Sequence, residues 1–111
     1  MPRAARPALI SVGIVLALVS LGLYAIGWED RRLAAAVESI EVGTSRDAVV
    51  QQLGPPNFES TDCYVAQFVK FEKPKPRSTA QSCAHWLGPF QFYAVGFTSD
   101  NRVAWVAYGD S

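Results

Sequence analysis

The clearest local signal in the chain is the stretch GTSRDAVVQQLGPP, which spans residues 43–56. Thr44-Ser45-Arg46-Asp47 has the form of a capping box with an acid in its third position, so it predicts the start of a short helix. That helix would bury three apolar side chains, Val49, Val50 and Leu53. Glycine suits the residue after a helix, where φ is often positive, and two prolines bar further helix. The stretch therefore predicts a helix that stops at Gly54 and a turn at Pro55-Pro56.

The residues before this stretch predict another helix, from Asp30 to Ile40. Leu33, Val37 and Ile40 recur at the spacing of one helical face, and three alanines between them are strong helix formers. This helix can continue directly from the apolar segment that precedes it.

The residues after Pro56 predict three strands. The first, 63–71, is rich in Val, Tyr and Phe, and the other two, 89–97 and 102–108, form a hairpin around a Thr98–Asn101 turn. The lysines and prolines of segment 72–82 predict an exposed loop. The predicted fold class is α+β: an N-terminal transmembrane helix followed by two helices packed on a small three-stranded antiparallel sheet.

An uncharged apolar segment of 22 residues, Pro7 to Trp28, precedes these elements. As a helix it would extend about 33 Å, enough to cross a hydrocarbon core of about 30 Å. No polar face interrupts it, unlike a core helix of a small soluble domain. We therefore predict that residues 1–28 are a membrane anchor, which contacts the lipid bilayer through residues 7–28.

The flanking charges of this anchor predict its orientation. Arg3 and Arg6 come before the apolar segment and favour a cytoplasmic N-terminus, which exports residues 29–111. The alternative is a cleaved signal peptide with Ala25-Ile26-Gly27 as its cleavage site, although the apolar run is long for one. Both interpretations export the rest of the chain.

Length and charge limit the functions of the exported part. The chain has 111 residues with 10 basic and 10 acidic side chains, and residues 29–111 contain 8 of the bases and all 10 acids. A slightly acidic domain offers no broad electropositive face, so we expect no nucleic-acid binding. At about 80 residues the domain is near the size at which a single core is marginal.

Cys63 and Cys83 are the two cysteines of the chain. An even number of cysteines in an exported domain favours a disulfide, which the chain-entropy model values at roughly 3 kcal/mol for such a loop. Two free structural thiols are an alternative. A metal site or a nucleophilic Cys83 next to His85 is another, but the spacing fits no familiar zinc pattern, and we predict no metal and no cofactor.

Two segments carry a family resemblance. Residues 43–56 resemble the glycine–hydroxyl start and hydrophobic–Gly–x–Pro end of the helix-turn segment in the SmpA/OmlA family, the BamE-like domains of the bacterial envelope. Residues 92–103, FYAVGFTSDNRV, are similar to the final hairpin of that family. The resemblance implies a helix–helix–three-strand periplasmic domain that binds protein partners and lipid and is not an enzyme. This chain lacks the lipobox cysteine of the family and has an apolar anchor instead, which implies a single-pass protein of the bacterial inner membrane.

Two groups of residues are candidate contact surfaces. One is the basic run after the first predicted strand, which suits anionic lipid headgroups or an acidic partner, or else only keeps a loop soluble: Lys70, Lys73, Lys75 and Arg77. The other is a rather apolar face of the second predicted strand, which suits a partner or strand addition if no helix covers it: Gln91, Tyr93, Val95 and Phe97.

The expected function is that of a membrane-anchored periplasmic protein–protein interaction module, which serves envelope or outer-membrane assembly with partners that the sequence does not identify. No phosphate loop, HExxH or Ser-His-Asp pattern is present, so we expect no enzyme. The alternative is a small exported enzyme or ligand-binding protein that uses Cys83 and His85.

Overall fold

One continuous helix, α1, runs from Ala5 to Ser39 and joins the apolar segment to the first predicted helix. The computed structural model describes residues 5–110, and for residues 5–8 and 26 it describes the backbone alone. Residues 9–25 are exposed, and by length and composition this part of α1 can cross a membrane. The helix passes the predicted domain boundary between residues 28 and 29 without a break. Arg3 and the side chain of Arg6, which entered the prediction of orientation, lie outside the described residues.

The second half of α1 packs on the domain as its periodicity predicts. Leu33, Val37 and Ile40 are all buried. Because these residues recur every three or four positions, they form one apolar stripe, which continues one residue past the end of α1. The other residues from 31 to 39 are exposed or half-buried.

The short helix α2, from Arg46 to Leu53, confirms the predicted stop but not the predicted cap. Its N-cap is Ser45, whose side chain accepts a hydrogen bond from the Ala48 N–H at 3.3 Å. The predicted capping box is therefore absent: the N-cap lies one residue after Thr44, Ala48 has no polar side chain to return a hydrogen bond, and the Thr44 hydroxyl donates to the Glu41 carbonyl. Val49 and Leu53 are buried, whereas Val50 is only half-buried.

Within residues 5–110 the sheet has five antiparallel strands, not three, so the predicted strand number is wrong. The spatial order is β1-β3-β4-β5-β2. The strands are β1 (Phe58–Ser60), β2 (Phe68–Lys73), β3 (Ser82–Leu87), β4 (Gln91–Phe97) and β5 (Val103–Asp110).

The predicted hairpin is present as β4 and β5, and the other strands differ from the prediction. The first predicted strand is displaced: residues 63–67 cross the sheet without pairing, and β2 begins at Phe68. β3 is missing from the prediction, which reaches it only at Ser82, the last residue of the predicted loop. Its four central residues are buried on both faces of the sheet and so show no polar alternation. β1 is too short, at three residues, to carry a periodic signal.

The two faces of the sheet have different covers. The helix face is packed by α1 and α2, and its buried sheet residues are Ala84, Trp86, Tyr93, Val95, Phe97, Val103, Val106 and Tyr108. The second face is covered by the connections 61–67 and 74–81, and its buried sheet residues are Cys83, Ala94, Ala104, Trp105 and Ala107. A β-bulge at the start of β5 interrupts the regular alternation of its side chains between the two faces.

Candidate functional site

The predicted partner-binding face of β4 is part of the core. Tyr93, Val95 and Phe97 are fully buried, and Gln91 is half-buried. These residues belong to the helix face, where α1 and α2 lie over them. The prediction that this face is exposed is therefore wrong, because the helices pack on the more apolar of the two faces.

A buried polar contact joins this face to α1. The Tyr93 hydroxyl lies 2.9 Å from both the backbone oxygen and the Oδ1 atom of Asp30. Burial, and then the hydrogen bond to the Asp30 carboxylate, raise the pKa of Tyr93 well above its usual value, so the phenol stays protonated and donates. This contact fixes the position of α1 on the sheet.

The disulfide and the histidine of the alternative function lie together on the second face. Cys63 and Cys83 are joined, with Cα atoms 5.3 Å apart, which confirms the predicted pairing. The disulfide attaches the crossing segment 61–67 to β3. A nucleophilic cysteine needs a free thiolate, and the Cys83 sulfur is bonded in this structure.

The His85 side chain is also engaged in contacts within the domain. It is fully buried, its Nε2 atom accepts the Tyr64 N–H at 3.1 Å, and its ring stacks on Phe58 at 4.3 Å. Burial lowers the pKa of His85, so the ring is neutral at pH 7. Nε2 is then unprotonated and Nδ1 bears the proton. Neither group of the proposed Cys83–His85 pair is available to a ligand in this arrangement.

The four basic residues of the first candidate surface lie on β2 and the turn after it, and three of them contact acidic side chains of this chain. Lys70 lies 3.2 Å from Asp110, and Lys73 lies 3.5 Å from Glu41.

Arg77 pairs with Glu72 and lies over the Trp105 ring, so it is part of the cover of the second face. Within residues 5–110, no acidic partner is found for Lys75. The structure therefore divides the predicted cluster into three paired cations and one that is open to a ligand.

The β2 edge, defined as residues Phe68–Lys73, is the feature that these cations surround. β2 pairs with β5 on one side, and within the described residues no strand pairs with its other side. Such a row of backbone N–H and C=O groups can accept another strand. Phe68 and Val69 are exposed at its start, and a shallow cavity of about 260 Å³ lies along it, lined by Val69, Lys70, Phe71, Glu72 and Lys75.

The β2 edge also has features that deter unspecific pairing. A bulge falls between Val69 and Phe71, and two lysines lie on the strand. Bulges and lysines on edge strands are common protections against aggregation. A strand that adds here must therefore match the bulge and compensate the positive charge.

The sequence identified the lysines of this site but not its edge geometry. The sequence predicts Phe68 and Val69 inside a longer strand, 63–71, and composition does not show which residues of a strand are exposed. The only available signal was Pro74 and Pro76 after the strand, since proline ends pairing and is typical of edges.

A second cavity, of about 200 Å³, lies at the start of α2, but its cations are engaged in the fold. The Arg46 guanidinium donates to Glu59, Asn101 and Ser82 and lies 4.2 Å from the centre of the Phe97 ring. It links α2 to the sheet, which is a structural role.

Among residues 5–110, no group of three or more His, Cys, Asp or Glu side chains is placed to hold a metal ion. The chain matches no protein-family model, no curated protein and no solved structure.

Proposed function

We propose that this chain is a single-pass protein of the bacterial inner membrane, whose C-terminal domain lies in the periplasm and binds another envelope protein. The exposed apolar part of α1 supports the anchor, since in water it would leave a large hydrocarbon surface wet. The disulfide supports an oxidising compartment. The resemblance of residues 43–56 and 92–103 to the SmpA/OmlA family supports a role in envelope assembly.

The observation that carries the binding function is the open β2 edge. Both faces of the sheet are covered, so the remaining strand surface is at the edges. Of the two edge strands, β1 has three residues and β2 has six. β2 is long enough for several backbone hydrogen bonds with a partner strand, and Phe68 and Val69 add apolar contact.

The charges around the β2 edge indicate the kind of partner strand. Lys70 is half-exposed and shared with Asp110, and Lys75 has no acidic partner among the described residues. The two lysines would attract acidic side chains on a partner strand. They would repel basic side chains, so an acidic strand is favoured over a basic one. We therefore propose an acidic or mixed acidic–apolar strand of another envelope protein as the ligand.

Site-specific photo-crosslinking in living cells tests this function. Benzoylphenylalanine replaces Val69 at the β2 edge in one strain and Val42 in another. Val42 is a matched control, because it is also an exposed valine but lies at the turn between α1 and α2. We expect a discrete protein adduct from position 69 and none from position 42. Equal adducts from both positions, or none from position 69, would contradict the proposal.

Charge reversal sharpens the same experiment. Lys75→Glu should reduce the adduct formed at position 69 several-fold, because it repels an acidic strand. Arg102→Glu is the control, since Arg102 is exposed but lines the cavity at the start of α2 and not the cavity along the β2 edge. If Lys75→Glu leaves the adduct unchanged, the partner strand is not acidic.

The anchor has its own test, which is the intact mass of the protein purified from membranes. Retention of residues 1–28 is expected. A mature N-terminus near Trp28 would identify a cleaved signal peptide instead.

A further inference from the structure

The turn between β3 and β4 lies beside the point at which α1 leaves its apolar segment. This turn, residues 87–90, is named the hairpin tip. Asp30 Oδ2 accepts the Phe90 N–H of the tip at 3.0 Å. Asp30 is two residues beyond Trp28, which is about 3 Å along the helix axis. The hairpin tip is therefore at the level of α1 where the apolar segment ends.

The side chains of the hairpin tip are apolar and open to solvent. Leu87 is 52% exposed and Phe90 is 64% exposed. Trp28, at the same level of α1, is 50% exposed, and tryptophan favours the interface between water and lipid. A singly exposed apolar residue needs no explanation, but here three large ones lie at the end of the domain that borders the apolar helix.

The backbone N–H groups of the hairpin tip are hydrogen-bonded to protein acceptors and so do not depend on water. Each N–H has an acceptor in the protein: Leu87 N donates to Asn57 Oδ1 (2.8 Å), Gly88 N to Gln91 O (2.9 Å) and Phe90 N to Asp30 Oδ2 (3.0 Å). Pro89 has no N–H. An ordinary exposed turn would leave such donors to solvent, and their loss of water in a lipid environment would be costly. Transfer of this turn from water into lipid therefore costs much less free energy.

Gly88 makes this arrangement possible. A Cβ atom at this position would overlap the carboxylate of Asp30 and touch the Tyr93 ring. Without it, the turn approaches α1 closely enough for Asp30 to accept the Phe90 N–H. The tip is thus held against the helix by the same carboxylate that accepts the Tyr93 hydroxyl.

The charged groups at this level do not oppose contact with lipid. Asp30 is buried and hydrogen-bonded, and Glu29 pairs with Arg32 at 2.7 Å. The Arg31 guanidinium lies 5.2 Å from the centre of the Tyr24 ring, back along α1, so its charge contacts an aromatic face.

We propose that the hairpin tip is a second membrane contact, in which Leu87 and Phe90 enter the interfacial zone of the phospholipid bilayer beside α1. This contact rests on the proposed membrane span of α1 and adds to it. With two points of attachment, the domain has a fixed orientation on the bilayer instead of swinging on a single helix.

Spin labelling of the full chain in phosphatidylcholine vesicles tests the contact. A nitroxide is attached to a cysteine introduced by Phe90→Cys, and by Leu87→Cys in a second variant. In the described structure the native disulfide leaves no free thiol to compete for the label. The measured quantity is the ratio of collisions with oxygen, which concentrates in lipid, to collisions with a water-soluble nickel chelate.

Two further positions make the outcome decisive. Val42→Cys is the water control, since Val42 is 53% exposed but lies past the far end of α1. Leu16→Cys reports on the proposed span. We expect the ratio at positions 87 and 90 to exceed that at 42 several-fold and to lie below that at 16, because position 16 is near the centre of the proposed span and the tip is in the interfacial zone.

The two proposals fail differently in this experiment. If position 16 shows a lipid ratio while 87 and 90 match 42, the tip is in water and the second contact is wrong. If position 16 also matches 42, the span itself is wrong. Immobilised labels at 87 and 90 with a water-like ratio would indicate a protein contact and would overturn the lipid assignment.

Discussion

The two faces of the sheet are stabilised by different means. The helix face is filled by large side chains, and two regular helices cover it. The second face is lined mostly by small residues and is covered by irregular chain. That chain is attached at discrete points: the Cys63–Cys83 bond, the Tyr64 N–H to His85, and the Ser78 hydroxyl to the Ala104 carbonyl at 2.9 Å.

The difference shows how a domain of about 80 residues can cover both faces of a sheet, although a core of that size is marginal. A helix satisfies its own backbone and needs only an apolar stripe. An irregular segment has no such ladder, so its polar groups need particular partners and its chain entropy needs a restraint. The disulfide supplies that restraint. The small side chains beneath the irregular segments let these segments approach the sheet closely. Mutations should therefore act through lost apolar burial on one face and through lost attachment on the other.

The largest effect is expected on the helix face. Ile40→Ala removes a fully buried side chain directly after the end of α1 and should lower the free energy of unfolding by about 2–5 kcal/mol. Denaturant unfolding of the full chain in detergent measures it. Val42→Ala is the control, and an exposed site should change by less than about 0.5 kcal/mol. An equal loss at both positions would mean that α1 does not pack as described.

The next effect is expected on the second face. Replacement of both Cys63 and Cys83 by alanine should cost about 2–4 kcal/mol, because the unfolded chain regains the freedom of a loop whose ends are 20 residues apart. Hydrogen exchange should rise first in residues 61–67, while α1 residues 33–39 stay protected. An unchanged melting temperature on reduction of the native protein, with both thiols already free, would contradict the prediction.

The helix face was largely predictable from the sequence, and the second face was not. Leu33, Val37 and Ile40 show the helical period because one side of α1 is wet. The stop at Gly54 was predictable because Pro55 and Pro56 leave the backbone few choices. These signals are local, so a single sequence contains them.

The missed features depend on tertiary contacts. Residues 63–67 have the composition of a strand, yet they cross the sheet because Cys63 bonds to Cys83, and composition does not separate extended chain from paired strand. Likewise, the pairing of Lys73 with Glu41 joins residues 32 positions apart, so the basic run alone could not show which cations remain open. The β2 edge of the candidate site is defined by strand order, which no local pattern encodes.

A smaller effect is expected at the end of α2, which covers the helix face. Gly54 has φ 82° and ψ −178°, a conformation that is essentially restricted to glycine, as the sequence predicted for its φ. Its carbonyl also accepts the Trp86 indole N–H at 3.0 Å. Gly54→Ala should therefore cost about 1–3 kcal/mol, although a Cβ there would meet no atom within 4 Å.

The control for this substitution has to be a helical glycine. Gly43 is unsuitable, because its φ of 93° is also positive. Gly27 lies inside α1, and a Cβ there would make only an ordinary contact with Arg31. Gly27→Ala should be neutral or slightly stabilising, because alanine is the better helix former. Stabilisation by Gly54→Ala in thermal melts would mean that α2 ends differently.

The smallest effect is the pH dependence that His85 gives to the second face. Burial lowers the pKa of this imidazole below its usual 6.5, so below about pH 6.5 the unfolded chain binds more protons than the folded one. The contribution is constant above that value, and stability falls as the pH drops towards the folded pKa, by at most about 1.4 kcal/mol per pH unit. Protonation would place a proton on Nε2 against the Tyr64 N–H and a charge beside the Phe58 ring, so residues 61–67 should loosen first.

Thermal melts between about pH 7.5 and pH 5 measure how stability changes with pH. His85→Gln, which does not titrate, should flatten this slope. A slope that survives in His85→Gln would assign the pH dependence to carboxylates and would remove the histidine from the attachments of this face.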